Sequence, residues 1–136
     1  DRLHKMAAAL ESMWSLSAAE LQHLRRACEL SKADLVSTMV KEFPTLQGVV
    51  GKYYALDSGE PEATAKAIEE HYLPLGGRLP KTLIGSGLAI LDKYDTLASY
   101  FSIGFEPPGT QAPFGLRRAA QSGRGRYEST HVRTKA

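Results

Sequence analysis

The stretch TLIGSGLAILDKYDTLASYFSI, residues 82–103, decides the fold. Leu83, Leu88, Leu91, Leu97, Ala98 and Phe101 supply apolar surface along it at helical spacing. The spacing predicts one long helix from Thr82 to Ile103, with Gly104 as a left-handed cap. Working toward the N-terminus, Leu75 to Pro80 holds Gly76 and Gly77 and reads as a loop. Glu60-Pro61-Glu62 opens a further helix with acid at its positive end, running to about Tyr72 before Pro74. Asp57-Ser58-Gly59 is a turn.

Pro44 suits the first position of a helix over Thr45 to about Leu56. There Gly48 and Gly51 lie three apart and permit close helix contact, each at a cost of about 1 kcal/mol against alanine. Leu35, Val36, Met39, Val40 and Phe43 form a third segment. Ser31-Lys32-Ala33-Asp34 either caps that segment or breaks a longer helix. Ser17-Ala18-Ala19-Glu20 is a capping-box pattern, and Leu21, Leu24, Cys28 and Leu35 follow along one face. Leu3, Met6, Ala7, Leu10, Met13 and Trp14 give a first helix. Toward the C-terminus, Phe105 to Pro113 has three prolines and a glycine and reads as loop, and Phe114 to Ala120 starts a final helix. No segment alternates with period two. The expectation is an all-α bundle of about six or seven helices, one domain over residues 1–120. Residues 121–136, rich in Gly, Arg, Ser and Thr without apolar periodicity, read as a disordered or appended tail.

Composition sets limits on function. No apolar run reaches the roughly 18 to 20 residues of a membrane span, and Asp1 to Leu10 lacks the apolar core of a secretory signal. The lone Cys28 reads as a small buried hydrophobe, consistent with a reducing, cytoplasmic setting. Of 17 Lys and Arg, six lie in residues 117–136 beside one of the 15 acids; residues 1–116 keep 11 basic and 14 acidic groups, a net of −3. A strongly basic body would argue for nucleic acid, and this one is slightly acidic.

Several strings carry a resemblance: Lys32-Ala33-Asp34-Leu35-Val36, Met39-Val40-Lys41-Glu42-Phe43-Pro44, Leu46-Gln47-Gly48-Val49-Val50-Gly51-Lys52-Tyr53-Tyr54-Ala55, Ile68-Glu69-Glu70-His71-Tyr72-Leu73-Pro74, Leu91-Asp92-Lys93-Tyr94-Asp95-Thr96-Leu97 and Pro113-Phe114-Gly115-Leu116-Arg117-Arg118-Ala119-Ala120. In order and spacing they resemble the β subunit of the two-subunit, bacterial and plastid glycyl-tRNA synthetase, from about residue 2 to 120. Beyond Ala120 the sequence departs from that pattern. The resemblance implies the HD-like portion of the β subunit, which grips tRNA-Gly while the α subunit, using ATP with Mg, makes glycyl-adenylate.

An HD hydrolase holds a divalent metal with a histidine, a His-Asp pair and a distant Asp. The pair falls at Ala33-Asp34, where alanine cannot ligate, and Asp92 matches the distant acid; His4 lies near the first histidine's place. Any metal would rest on Asp34 and Asp92, and the preferred reading is no metal site, no catalytic residue and no cofactor within this chain. For Asp34 the structural alternative is a helix N-cap, and for Asp92 and Asp95 it is pairing with Lys93 or a neighbouring helix. His71 reads as a solvated helix end. The tRNA-contact candidates are Arg117 and Arg118, then Lys52 and Lys93 (with Lys81 as a further cation), and Tyr53 for stacking, although one of Tyr53 and Tyr54 is expected in the core. Three functions compete: a tRNA-recognition and scaffold module of glycine–tRNA ligase, a metal-dependent HD phosphohydrolase, and an inert spacer that meets the α subunit.

Overall fold

A computed structural model describes residues 2–73 and 77–104. Six α-helices follow in order: α1 Arg2–Trp14, α2 Ala18–Leu30, α3 Thr38–Glu42, α4 Val49–Asp57, α5 Glu62–Glu70 and α6 Leu83–Ser102. Two 3-10 turns, Ala33–Val36 and Pro44–Leu46, flank α3. Among the described residues there is no β-strand, so the all-α expectation holds. The loop and final helix expected over Phe105 to Ala120, and the tail after them, lie outside the described residues.

α2 begins at the capping box read from the sequence. The Ser17 N–H donates to Glu20 Oε2 at 2.8 Å, and the Glu20 N–H donates to Ser17 Oγ at 3.2 Å. Its inward face buries Leu21, Leu24, Ala27 and Cys28. Burial pushes the Cys28 thiol up to about 12, which fits a packing residue. α1 turns Ala7 and Leu10 inward, whereas Met13, grouped with them by spacing, is exposed near the helix end.

The middle of the chain differs from expectation. α2 stops at Leu30, because Lys32 takes a left-handed conformation at φ 68°. Leu35 therefore leaves the α2 face and is exposed, and the expected third helix divides into a 3-10 turn and the short α3, capped by Ser37. Pro44 opens a 3-10 turn rather than α4. α4 starts only after Gly48, whose φ of 79° breaks the chain direction.

The glycine pair does permit close contact. A Cβ on Gly51 would come within 2.9 Å of Ile68 Cγ2, and one on Gly48 within 2.9 Å of the Glu69 carbonyl, so α4 lies directly on α5. The core joins Ala7, Leu10, Leu24, Cys28, Ile68 and Leu88 among α1, α2, α5 and α6. α6 occupies almost its full expected span, N-capped by the Thr82 side chain, and Gly104 follows at φ 74°.

Candidate functional site

A polar corner forms where the first 3-10 turn, the start of α4, the end of α5 and the middle of α6 meet. Asp34 is only 2% exposed. Its Oδ2 accepts the Gly48 N–H at 2.7 Å and its Oδ1 accepts the Tyr72 hydroxyl at 3.3 Å. Asp34 is thus not the N-cap of its own helix; it fixes the backbone that leads into α4. Burial and the Asp34 carboxylate both push the Tyr72 phenol upward, keeping it a donor.

His71, expected at a solvated end, is fully buried. The reason is its place as C-cap of α5, pressed against α6 with its ring 4.0 Å from that of Tyr72. Nδ1–H donates to the Ile68 carbonyl at 2.6 Å, which leaves Nε2 as a lone pair without a hydrogen bond. Burial lowers its pKa and outweighs the Ile68 carbonyl and the Asp92 charge, so the ring is neutral. Asp92 pairs with Lys32 at 2.5 Å and Asp95 with Arg2 at 2.8 Å, both on neighbouring elements and neither with Lys93. Lys93 turns its ammonium to the His71 carbonyl at 3.3 Å, and burial lowers its pKa.

These residues do not fit a divalent metal. Asp34 spends both oxygens on internal donors, Asp92 holds an ammonium, and Ala33 stands where a His-Asp pair needs its histidine. His4 faces Glu29 at 3.9 Å. Among the described residues no three His, Cys, Asp or Glu side chains gather as a metal-ligand group.

On the outer side of α4, Lys52 and Tyr53 lie together. The Lys52 ammonium is 5.8 Å from the Tyr53 ring centre and bonds Glu69 at 2.9 Å, which raises its pKa. Both Tyr53 and Tyr54 are exposed, correcting the expectation that one packs in the core; Val50, Gly51 and Ala55 fill that role. Lys93 belongs to the buried corner and not to this surface. Arg117 and Arg118 lie outside the described residues.

Sequence reading missed the latch at the start of α6. Glu70, 5% exposed, accepts the N–H groups of Lys81 at 3.1 Å and Thr82 at 3.0 Å, and the Thr82 hydroxyl at 2.5 Å. Thr82 Oγ1 in turn accepts the Gly85 N–H at 3.0 Å. A sequence signal existed only for Thr82, an ordinary N-cap residue. Two grooves were also not foreseen. One of about 620 Å³ runs between α2 and the start of α5, past Arg25, Arg26 and His23; the other, about 260 Å³, reaches Asp34 between Ala33, Tyr54 and Gly51.

Residues 1–123 match a family model described as the glycyl-tRNA synthetase beta subunit. Over 123 residues the chain is 50% identical to the glycine–tRNA ligase beta subunit of Streptococcus pyogenes serotype M49 (strain NZ131), covering 89% of this chain and 18% of that protein. Over 102 residues it is 54% identical to the glycine–tRNA ligase beta subunit of Bacillus subtilis (strain 168), covering 74% of this chain and 15% of that protein. The chain therefore spans less than a fifth of the length of these relatives.

Proposed function

The chain belongs to the glycyl-tRNA synthetase beta subunit family, and on that premise we propose that it is a tRNA-positioning and scaffold module in the attachment of glycine to tRNA-Gly. The observation that carries this reading is the match across residues 1–123. The ionisable residues of the polar corner are spent on holding elements together, which leaves the hydrolase reading without support. Catalysis then belongs to the α subunit with ATP and Mg, and the α subunit and tRNA-Gly are the partners, in the cytoplasm. Residues 1–120 act as one domain and 121–136 as a tail.

The mechanism is placement. Exposed Tyr53 offers a ring on which a base can stack, with the Lys52 cation beside it. Arg117 and Arg118 offer guanidinium forks to phosphate oxygens. Lys93 acts as a corner residue on this reading. One observation favours pure scaffolding instead: the net charge of −3 over residues 1–116, with Lys52 engaged by Glu69.

A titration of labelled tRNA-Gly with the chain at low and moderate salt separates the two. Saturable binding that weakens with salt, weakens further in Arg117→Ala and Tyr53→Ala, and prefers tRNA-Gly over another tRNA supports positioning. No binding at low salt moves RNA contact to other parts of the subunit and leaves this segment as scaffold.

A further inference from the structure

The smaller of the two grooves holds a charge that nothing around it answers. At about 260 Å³ it lies below the roughly 300 to 1,000 Å³ of pockets for drug-sized ligands, so it suits a smaller molecule. Leu30, Gly51, Ala55 and Ile68 give it apolar walls, all buried except Leu30. Ala33, Tyr54 and Ser58 are exposed and stand at its mouth. Its charged lining is Arg26, Glu60 and Asp34. Arg26 is held by Glu60 and by Glu29, so its charge is already met. Asp34 is different. It is almost wholly buried, and among the described residues no lysine, arginine or histidine pairs with it. Its two donors, the Gly48 N–H and the Tyr72 hydroxyl, are neutral. A carboxylate offers about four lone-pair positions, so each oxygen keeps one open beside the bond it already accepts. Gly51 puts no side chain in front of them: a Cβ there would stand 3.3 Å from Asp34 Oδ2.

We propose that this cavity binds a small organic cation, a guanidinium or amidinium head on a short apolar stem, with the head at Asp34 and the stem against Leu30, Ala55 and Ile68. A buried carboxylate without a counter-charge is costly, and a bound cation offsets that cost. A divalent metal needs several ligands together, whereas a planar fork of N–H donors is satisfied by one carboxylate. The Tyr54 ring supplies an aromatic wall, which favours a cation over a neutral molecule of the same shape. The same uncompensated negative charge repels phosphate, so this site is separate from any RNA contact of Lys52 and Tyr53 and stands without the tRNA reading.

The test titrates the full 136-residue chain with n-butylguanidinium, and with n-butylurea as its neutral counterpart, following backbone amide shifts by NMR. For so small a ligand the expected Kd is on the order of 1 mM, with saturable shifts at Gly51, Ala55 and Ile68. The urea should bind at least about tenfold more weakly, because charge-assisted hydrogen bonds are about twice as strong as neutral ones. Asp34→Asn should weaken the guanidinium at least about tenfold at unchanged helicity. Tyr54 is half exposed, so Tyr54→Ala leaves the fold intact, and it should weaken binding at least about threefold. N-acetylarginine methylamide separates the sources: binding within about threefold of n-butylguanidinium assigns an arginine side chain, and exclusion assigns a free small molecule. Equal binding of the urea, full affinity in Asp34→Asn or Tyr54→Ala, or no saturable shift at these amides by about 20 mM overturns the proposal.

Discussion

Replacing Glu70 tests whether one buried carboxylate fixes the entry of the longest helix. Three donors converge on it: two backbone N–H groups and the Thr82 hydroxyl. In Glu70→Ala the hydroxyl can turn elsewhere, but the two N–H groups of Lys81 and Thr82 lose their acceptor. At roughly 1 to 3 kcal/mol for each unsatisfied donor, less what water recovers at this half-buried site, the loss is about 3 kcal/mol. A domain of this size loses about 4 °C in Tm per kcal/mol, so the fall is roughly 12 °C by differential scanning calorimetry. Glu70→Gln keeps one oxygen for the Thr82 pair and turns an amide N–H toward the Lys81 donor, costing about 1 to 2 kcal/mol. Hydrogen exchange should quicken at Gly85 and Ser86, whose N–H groups depend on Thr82. A double cycle with Thr82→Ala should be non-additive by at least about 0.5 kcal/mol, because Thr82 relays the carboxylate to Gly85. If Glu70→Ala melts within about 2 °C of the parent chain, the reasoning fails, since water would then be serving those donors as well as Glu70 does.

Asp34→Ala, which strips acceptors from Gly48 and Tyr72, should cost about 2 to 4 kcal/mol in urea melts, while Asp34→Asn, with a hydroxyl partner able to reverse its bond, should cost less than half of that; equal losses would refute the hydrogen-bond account. His71 refuses a proton that the unfolded chain accepts below about pH 6.5. Its contribution is therefore complete above that pH and declines as pH falls through it, with a slope approaching 1.4 kcal/mol per unit. In His71→Gln the chain should be less stable at pH 7.5 but flatter down to pH 5.5, and an unchanged slope would assign the effect to other groups. Gly48→Ala should cost at least about 2 kcal/mol by the same melts, since φ 79° strains any side chain and the new Cβ meets Tyr72 at 2.8 Å.

What was legible in the sequence is what depends on near neighbours. The Ser17–Glu20 box, the length of α6 and the Gly51 contact all follow from spacing within a few residues. The sequence leaves the break after Leu30 open because its agent is Lys32, and lysine carries no signal for a positive φ. Asp34, Glu70 and His71 owe their roles to partners brought near by packing: Glu70 meets donors 11 and 12 positions away, and Tyr72 meets Asp34 from 38 away. No local pattern records such distances, so the sequence alone presents the buried His71 as a wet helix end. Of the candidate RNA contacts, Lys52 and Tyr53 come together on the outer side of α4 only because the long lysine side chain reaches across the roughly 100° between neighbouring helix positions, and Lys93 turns inward for a reason only the α5 end supplies.

The two bonds of Asp34 bear on the order of events as the chain folds. They span 14 and 38 residues, while α2 and α6 are built from contacts a few positions apart. Closing those loops costs chain entropy before the carboxylate is rewarded, so the bonds should be absent from the rate-limiting barrier. Asp34→Asn should then steepen escape from the native state and leave the refolding arm of the chevron nearly where it was. The residue acts as a brake on unfolding.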